Sequence, residues 1–253
     1  MTSSPKKSGS KDMGSAQLPL FYKNVAVLDE KRHGKKRLSE GTFPFAADAN
    51  AIPLNGVEFR LAATEYPIVF FNEAPFMPAV IVGLTKDKNL LINGDGKWEE
   101  GCYVPAYVRR YPFIFLESED KETLTLCIDE DAETLGKEGD VQLFDGDQPS
   151  ENTNRILEFC RVFQGHYNNT LEFSRALGEQ DLLVEKTADA KTKDGGQHVL
   201  GGFKVVDENK MREFPDNLAS KWHNNGWLPL IYWHIASQNN WARLIDRQAI
   251  RST

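Results

Sequence analysis

Two stretches of the chain are written almost alike, and each demands a strand. The first runs Phe59-Arg60-Leu61-Ala62-Ala63-Thr64-Glu65-Tyr66-Pro67-Ile68-Val69-Phe70-Phe71. The second runs Tyr103-Val104-Pro105-Ala106-Tyr107-Val108-Arg109-Arg110-Tyr111-Pro112-Phe113-Ile114-Phe115-Leu116. Both have a mixed approach, a Tyr-Pro step, then an aromatic and β-branched run. Proline fixes φ and pushes the residue before it to extended geometry, so a strand begins at each step. The approaches, Val57 to Thr64 and Pro105 to Arg109, each fit a single helical turn. We read an internal pseudo-repeat that puts Tyr66 to Phe71 and Tyr111 to Leu116 in one sheet; the other reading is two unrelated strand starts that share Tyr-Pro. Between them, Ala79 to Leu84 and Leu90 to Asn93 read as strands, Thr85 to Asn89 as a polar hairpin loop, and Asn93-Gly94-Asp95-Gly96 as a turn.

Upstream, Leu20 to Leu28 reads as a first strand and Asp29 to Arg37 as a solvated turn dense in positive charge. Phe43 to Leu54 alternates aromatic, small and Pro residues, which is irregular backbone with apolar anchors. Thr123 to Ile128 is a strand that ends in the acidic run Asp129-Glu130-Asp131, and Val141 to Phe144 leads into a turn at Asp145-Gly146-Asp147. From Glu151 the period changes. Ile156, Cys160, Phe163, Tyr167, Leu171, Ser174 and Leu177 recur every three or four residues, which marks one amphipathic helix capped by Ser150 and stopped by Gly178. Leu182 to Ala190 and Gln197 to Val206 form a hairpin through Asp194-Gly195-Gly196. A helix from Pro215-Asp216 to Gly226, a second with Pro229 in its first turn, a break at Asn239-Asn240 and a last helix from Trp241 to Ala249 complete the chain. The fold class is therefore α+β, an N-terminal, mostly antiparallel twisted sheet with a C-terminal helical cap. One domain covers 18–253, sheet-rich over 18–148 and helix-rich over 149–253, behind a disordered tail at 1–17.

A net charge of -7 argues against nucleic-acid binding, which needs a basic field to offset phosphate. No run of ~18 apolar residues offers a transmembrane segment. The tail is rich in Ser, Lys and Gly and lacks an apolar signal core. Cys102, Cys127 and Cys160 are scattered and odd in number, which suits reduced thiols. These features predict a cytoplasmic protein, with signal-less export as the route to the cell surface.

No chemistry-bearing signature stands out. His33, His166, His198, His223 and His234 lie far apart with no metal-ligand spacing, so neither metal nor other cofactor is expected. There is no Gly-x-Ser-x-Gly elbow, and no catalytic residue can be named. His234 shares a helical face with Leu230 and Ile231, the pattern of a hydrogen-bonded core histidine. Arg109 and Arg110, beside Tyr107 and Tyr111, either clamp a carboxylate or phosphate and stack on rings, or pair with Glu58 or Glu65. On extended backbone the two arginines face opposite sides and cannot share one job. The candidate binding residues are His33, Glu58, Arg109, Arg110, Tyr111 and His234. The aromatic density of Trp98, Tyr103, Tyr107, Tyr111, Trp222, Trp227, Tyr232 and Trp233 favours a non-enzymatic binding or assembly protein, with a protein, a peptide or a small anionic ligand as partner. The alternative is an enzyme or enzyme accessory whose site gathers His33, Glu58, Arg110 and His234.

Several phrases also occur together in a familiar order: Phe21 to Val25, His33 in its basic turn, Phe43 to Leu54, Glu65 to Phe70, Trp98 with Gly101 to Phe113, and Gly226 to Ser237. By these the chain resembles the bacterial SapC family, from Leu20 to Arg247. The resemblance implies association with a paracrystalline bacterial surface layer and supplies no catalytic residues to carry over.

Overall fold

A computed structural model gives the fold over residues 18–117, 123–191 and 197–251. The tail at 1–17 and the turn at 194–196 lie outside the described residues. The N-terminal part holds β1 (Val25–Val27), α1 (Glu30–His33), β2 (Arg37–Leu38), β3 (Ala51–Pro53), α2 (Phe59–Ala62), β4 (Ile68–Phe71), β5 (Pro78–Ile81), α3 (Ala106–Arg110), β6 (Phe113–Glu117) and β7 (Leu124–Asp129). Four two-residue strands or strand ends follow, β8 (Leu135–Gly136), β9 (Val141–Gln142), β10 (Phe144–Asp145) and β11 (Gln148–Pro149). Then come α4 (Glu151–Glu179), β12 (Leu183–Lys191), β13 (Gln197–Val206), α5 (Glu208–Arg212), α6 (Asp216–Asn224), α7 (Trp227–Ser237) and α8 (Trp241–Arg251). Mixed helices and antiparallel sheets with a helical C-terminal segment make this an α+β fold.

The larger sheet has the order β12-β13-β4-β5-β3 and is antiparallel throughout. A smaller antiparallel sheet has the order β1-β7-β6, and β2 carries β8 and β9 on its two edges. The helical turns before both Tyr-Pro steps are present, and β4 and β6 each start on the residue after the proline. They are not in one sheet, however. β4 sits at the centre of the larger sheet, with Ile68, Val69 and Phe70 all buried, whereas β6 edges the smaller one and pairs Phe113 with Ile128. Pairing with the next strand in sequence closes a shorter loop than pairing with a distant look-alike, and for β6 the local partner β7 wins.

Three other readings change for local reasons. The expected strand at Leu20 to Leu28 shortens to β1, because Phe21 takes a left-handed φ of 80°. Leu90 to Asn93 forms no strand, although Leu90, Leu91 and Ile92 are buried; it contributes a single bridge from Ile92 to Trp98 across the Asn93 to Gly96 turn. Asp29 to Arg37 is open to solvent as expected except at His33, and its first half is a helical turn. The Asp29 side chain accepts from Arg32 N, caps α1 and turns His33 into the protein.

Helix α4 joins two hydrophobic cores. Ser150 caps it by accepting from Thr153 N at 3.1 Å. Cys160 is buried against the smaller sheet, and Phe163, Phe173 and Leu177 are buried against the larger. Gly178 does not stop the helix, which continues to Glu179. Its role is clearance, since a Cβ there would stand 2.5 Å from Cε2 of Phe76. Gly178→Ala should therefore lower stability by about 1–3 kcal/mol through overpacking, despite alanine's better helix propensity. Urea denaturation checks this, and an alanine variant as stable as the parent would mean the Phe76 ring simply steps aside.

The C-terminal helices cap the start of β4. Ser237 Oγ accepts from Ile68 N at 3.0 Å and Gln238 Nε2 donates to Ile68 O at 2.8 Å. Asn240 Nδ2 donates to the carbonyls of Ala63 and Tyr66. Buried main-chain groups that the sheet leaves open are thus satisfied by side chains from 170 residues away along the chain. No described helix is long and apolar enough to cross a membrane.

Candidate functional site: a cleft built on Arg110

Helix α3 is one turn and a half long. Pro105 opens it, and Pro112 closes it by keeping Tyr111 extended at φ -60° and ψ 137°. Arg109 and Arg110 are therefore helical rather than extended. Neighbouring helical residues point about 100° apart, so the two arginines still diverge. Arg109 stays exposed, donating to Val104 O at 3.1 Å and to Tyr103 Oη at 3.3 Å. Arg110 turns inward and is 7% exposed.

Three rings surround the Arg110 guanidinium, with its carbon 4.3 Å from the Phe163 centroid, 4.9 Å from Tyr107 and 5.7 Å from Tyr22. Its Nε has no hydrogen-bond partner among the described residues. None of the ion pairs among the described residues includes it. Tyr22 and Tyr107 are neutral neighbours, because burial raises both phenols, Tyr107 to about 12, more than the nearby cation lowers them. Their hydroxyls donate to Phe113 O and Leu20 O. Among the described residues, Arg110 is a buried cation without an anionic partner.

Arg110 also lines a cleft of about 510 Å³. Its walls are largely apolar, with Phe43, Phe45, Phe113, Ile156 and Phe159 among them. Tyr111 lines it too, with its ring 4.1 Å from that of Phe45 and its hydroxyl donating to Asp129 at 3.1 Å. Burial, and then the Asp129 carboxylate, raise the Tyr111 phenol well above its ordinary range. Thr134 also lines the cleft, and its Oγ1 is buried without a partner among the described residues. Arg109 and Arg155 complete the basic rim, with Glu40 as the one carboxylate in the lining.

The SapC family model matches residues 28–244, a span that contains every residue of this cleft. The chain belongs to the SapC family. No curated protein and no solved structure matches it.

In this SapC chain, Arg109, Arg110 and Tyr111 meet in the cleft, and the other sequence candidates lie elsewhere. Glu58 is buried and accepts from Asn55 N, Tyr103 Oη and Ala106 N at 2.9, 2.9 and 2.7 Å. Glu65 accepts from Tyr103 N at 3.0 Å. Neither carboxylate holds an arginine, contrary to the pairing that the sequence offered. Their acceptors are spent on main-chain donors that splice the first Tyr-Pro approach to the second. His33 is buried, its Nε2 3.0 Å from Oε1 of Glu130, which also pairs with Arg32.

His234 is fully buried, as its helical face predicted. Nε2 accepts from Val206 N at 3.0 Å, so the proton resides on Nδ1, which has no hydrogen-bond partner within normal geometry among the described residues. Burial holds its pKa down to about 3, against a smaller opposing pull from the Ile68 backbone. A hollow of about 700 Å³ lies beside it, rimmed by Lys186, Arg212, Asp189, Asp207 and Glu208. Cations and anions both line that rim, so it presents no uncompensated charge of one sign. Among the described residues no group of three or more His, Cys, Asp or Glu side chains is placed to hold a metal ion. Thr134, Phe45 and Ile156 escaped sequence reasoning, since none carries a local pattern that points to a ligand.

Proposed function

We propose that this SapC-family chain is a binding protein that recognises an anionic group in the Arg110 cleft. The observation that carries the reading is the buried, anion-free guanidinium. Withdrawing a cation from water costs several kcal/mol, and the three ring contacts return only part of that. A structural arginine in such a place normally has its carboxylate with it. One that lacks it keeps its strongest bonds in reserve, and guanidinium geometry suits two oxygens of a carboxylate or phosphate. The ionisable lining consists of arginines, Glu40 and a raised tyrosine, which favours recognition over acid-base turnover. We place this binding role in the bacterial envelope or its surface layer on the family resemblance alone.

Arg110→Met separates binding from folding. The unbranched apolar side chain stays within the ring cage while the charge is lost, so the variant should be as stable as the parent or about 1–2 kcal/mol more stable. Millimolar acetate or inorganic phosphate, at ionic strength matched with sodium chloride, should raise the melting temperature of the parent and leave that of Arg110→Met unchanged. Equal shifts in the two proteins would refute the proposal.

A further inference from the structure

Charge, orphaned donors and wall chemistry in the cleft narrow the class of ligand. Of the three arginines in the lining, Arg155 is paired with Glu151, and its side chain is 70% exposed. Arg109 is engaged by Val104 O and Tyr103 Oη and shares the lining with Glu40. That leaves one buried positive charge uncompensated, which matches a monoanion rather than a dianionic phosphate. Two residues of the lining, Arg110 and Thr134, each carry a buried polar atom, Nε and Oγ1, that has no partner among the described residues. A carboxylate has an oxygen for each of two such donors.

The remaining volume calls for something other than an anion. Acetate displaces only a few water volumes of ~30 Å³ each, and the cleft holds about 510 Å³. Most of its wall beyond the polar groups is carbon: the rings of Phe43, Phe45, Phe113 and Phe159 and the side chains of Leu38 and Ile156. Apolar walls around a few placed polar groups are the general form of a small-molecule site.

We infer that the occupant is a monocarboxylate with an extended apolar body, of the class of medium-chain fatty acids, its carboxylate at Arg110 and its chain along the aromatic wall. This inference rests on the anion-binding reading above and deepens it. Arg110 fixes the head, and chain length sets the affinity.

The test is a calorimetric titration of the full chain with acetate, hexanoate, octanoate and dodecanoate below their aggregation concentrations. Dodecyltrimethylammonium, with the same tail and the opposite charge, and inorganic phosphate are run beside them. The expected result is one site per chain that tightens by roughly fourfold for each methylene buried, so that dodecanoate binds at least about 100-fold tighter than hexanoate. Arg110→Met and Thr134→Val should each weaken dodecanoate binding, the first by about 30-fold or more, with near-ultraviolet circular dichroism confirming that both variants fold. Dodecyltrimethylammonium should not compete. Short and long carboxylates of equal affinity, all lost in Arg110→Met, would overturn the fatty-acid inference and leave the anion site standing. Phosphate binding tighter than dodecanoate would do the same. Dodecanoate and dodecyltrimethylammonium binding alike, with no loss in Arg110→Met, would remove the anion site as well. Absence of binding by every probe to the parent protein would sink both.

Discussion

Asp129→Ala is expected to cost about 4 kcal/mol of stability, a loss that puts the variant among the most damaging single changes a fold of this size tolerates. Asp129 has no solvent exposure, and its carboxylate is saturated with donors. One oxygen accepts from Lys23 N at 2.9 Å and from Tyr111 Oη at 3.1 Å; the other accepts from Asn24 N at 2.9 Å and from Asp131 N at 3.2 Å. Alanine would leave three part-buried main-chain N–H groups and a buried phenol without their acceptor, and an unsatisfied buried donor costs about 1–3 kcal/mol before relaxation. Tyr111→Phe removes a single donor and leaves three in place, so it should cost only about 1 kcal/mol. Urea denaturation of the two variants beside the parent distinguishes these values. If Asp129→Ala stayed within 1 kcal/mol of the parent, the nest would have to be filled by water. The same carboxylate holds the Tyr111 ring against Phe45, so the variant should also loosen one wall of the Arg110 cleft.

Asp129 also shows where sequence reading stops. It belongs to the acidic run Asp129-Glu130-Asp131, which reads only as the end of a strand. In the fold Asp129 is fully buried and Glu130 binds His33 and Arg32. A run of like charges records composition, whereas the fate of each member depends on which strand returns beside it, and β1 comes from a hundred residues away. Signals that are local in the chain survived. The 3.6-residue period and the Ser150 cap defined α4, the two Tyr-Pro steps marked the starts of β4 and β6, and the pattern Leu230, Ile231, His234 marked a core histidine. Signals that needed pairing did not: two similar segments joined different sheets, because similarity of sequence says nothing about which neighbour each strand meets first. Arg110 fell between these cases. Its divergence from Arg109 was foreseen on the wrong backbone, and the partners proposed for it, Glu58 and Glu65, turned out to bind main-chain and phenol donors instead. Thr134 had no signal at all, since a lone threonine acquires meaning only from the cleft it faces.

His234 should make the protein sensitive to mild acid. In the folded state burial holds its pKa down to about 3, while in the unfolded chain it titrates near its model value of 6.5. Between these two values the unfolded state binds a proton that the folded state refuses, so stability falls as pH falls. The contribution is intact above pH 6.5, declines by about 1.4 kcal/mol per pH unit below it, and amounts to a loss of about 3 kcal/mol by pH 4. Carboxylates titrate in the lower part of this range, so the histidine is isolated by comparison with His234→Gln, whose amide oxygen can still accept from Val206 N but cannot take up the proton. That variant should start less stable, because glutamine fills the ring's place beside Phe70 poorly. Its stability should nonetheless fall less steeply from pH 6.5 to pH 4 than the parent's, by about one proton's worth of slope. Parallel slopes would mean that His234 is protonated in the fold and that its burial is not what it costs. The ring is kept there for its acceptor. Nε2 takes the Val206 N–H at 3.0 Å while its neighbours Ser237 and Gln238 bind Ile68, so helix α7 grips β13 and β4 at once. An apolar residue at 234 would escape the acid penalty and leave the Val206 donor unpaired, which is why the neutral imidazole is the better fit at neutral pH.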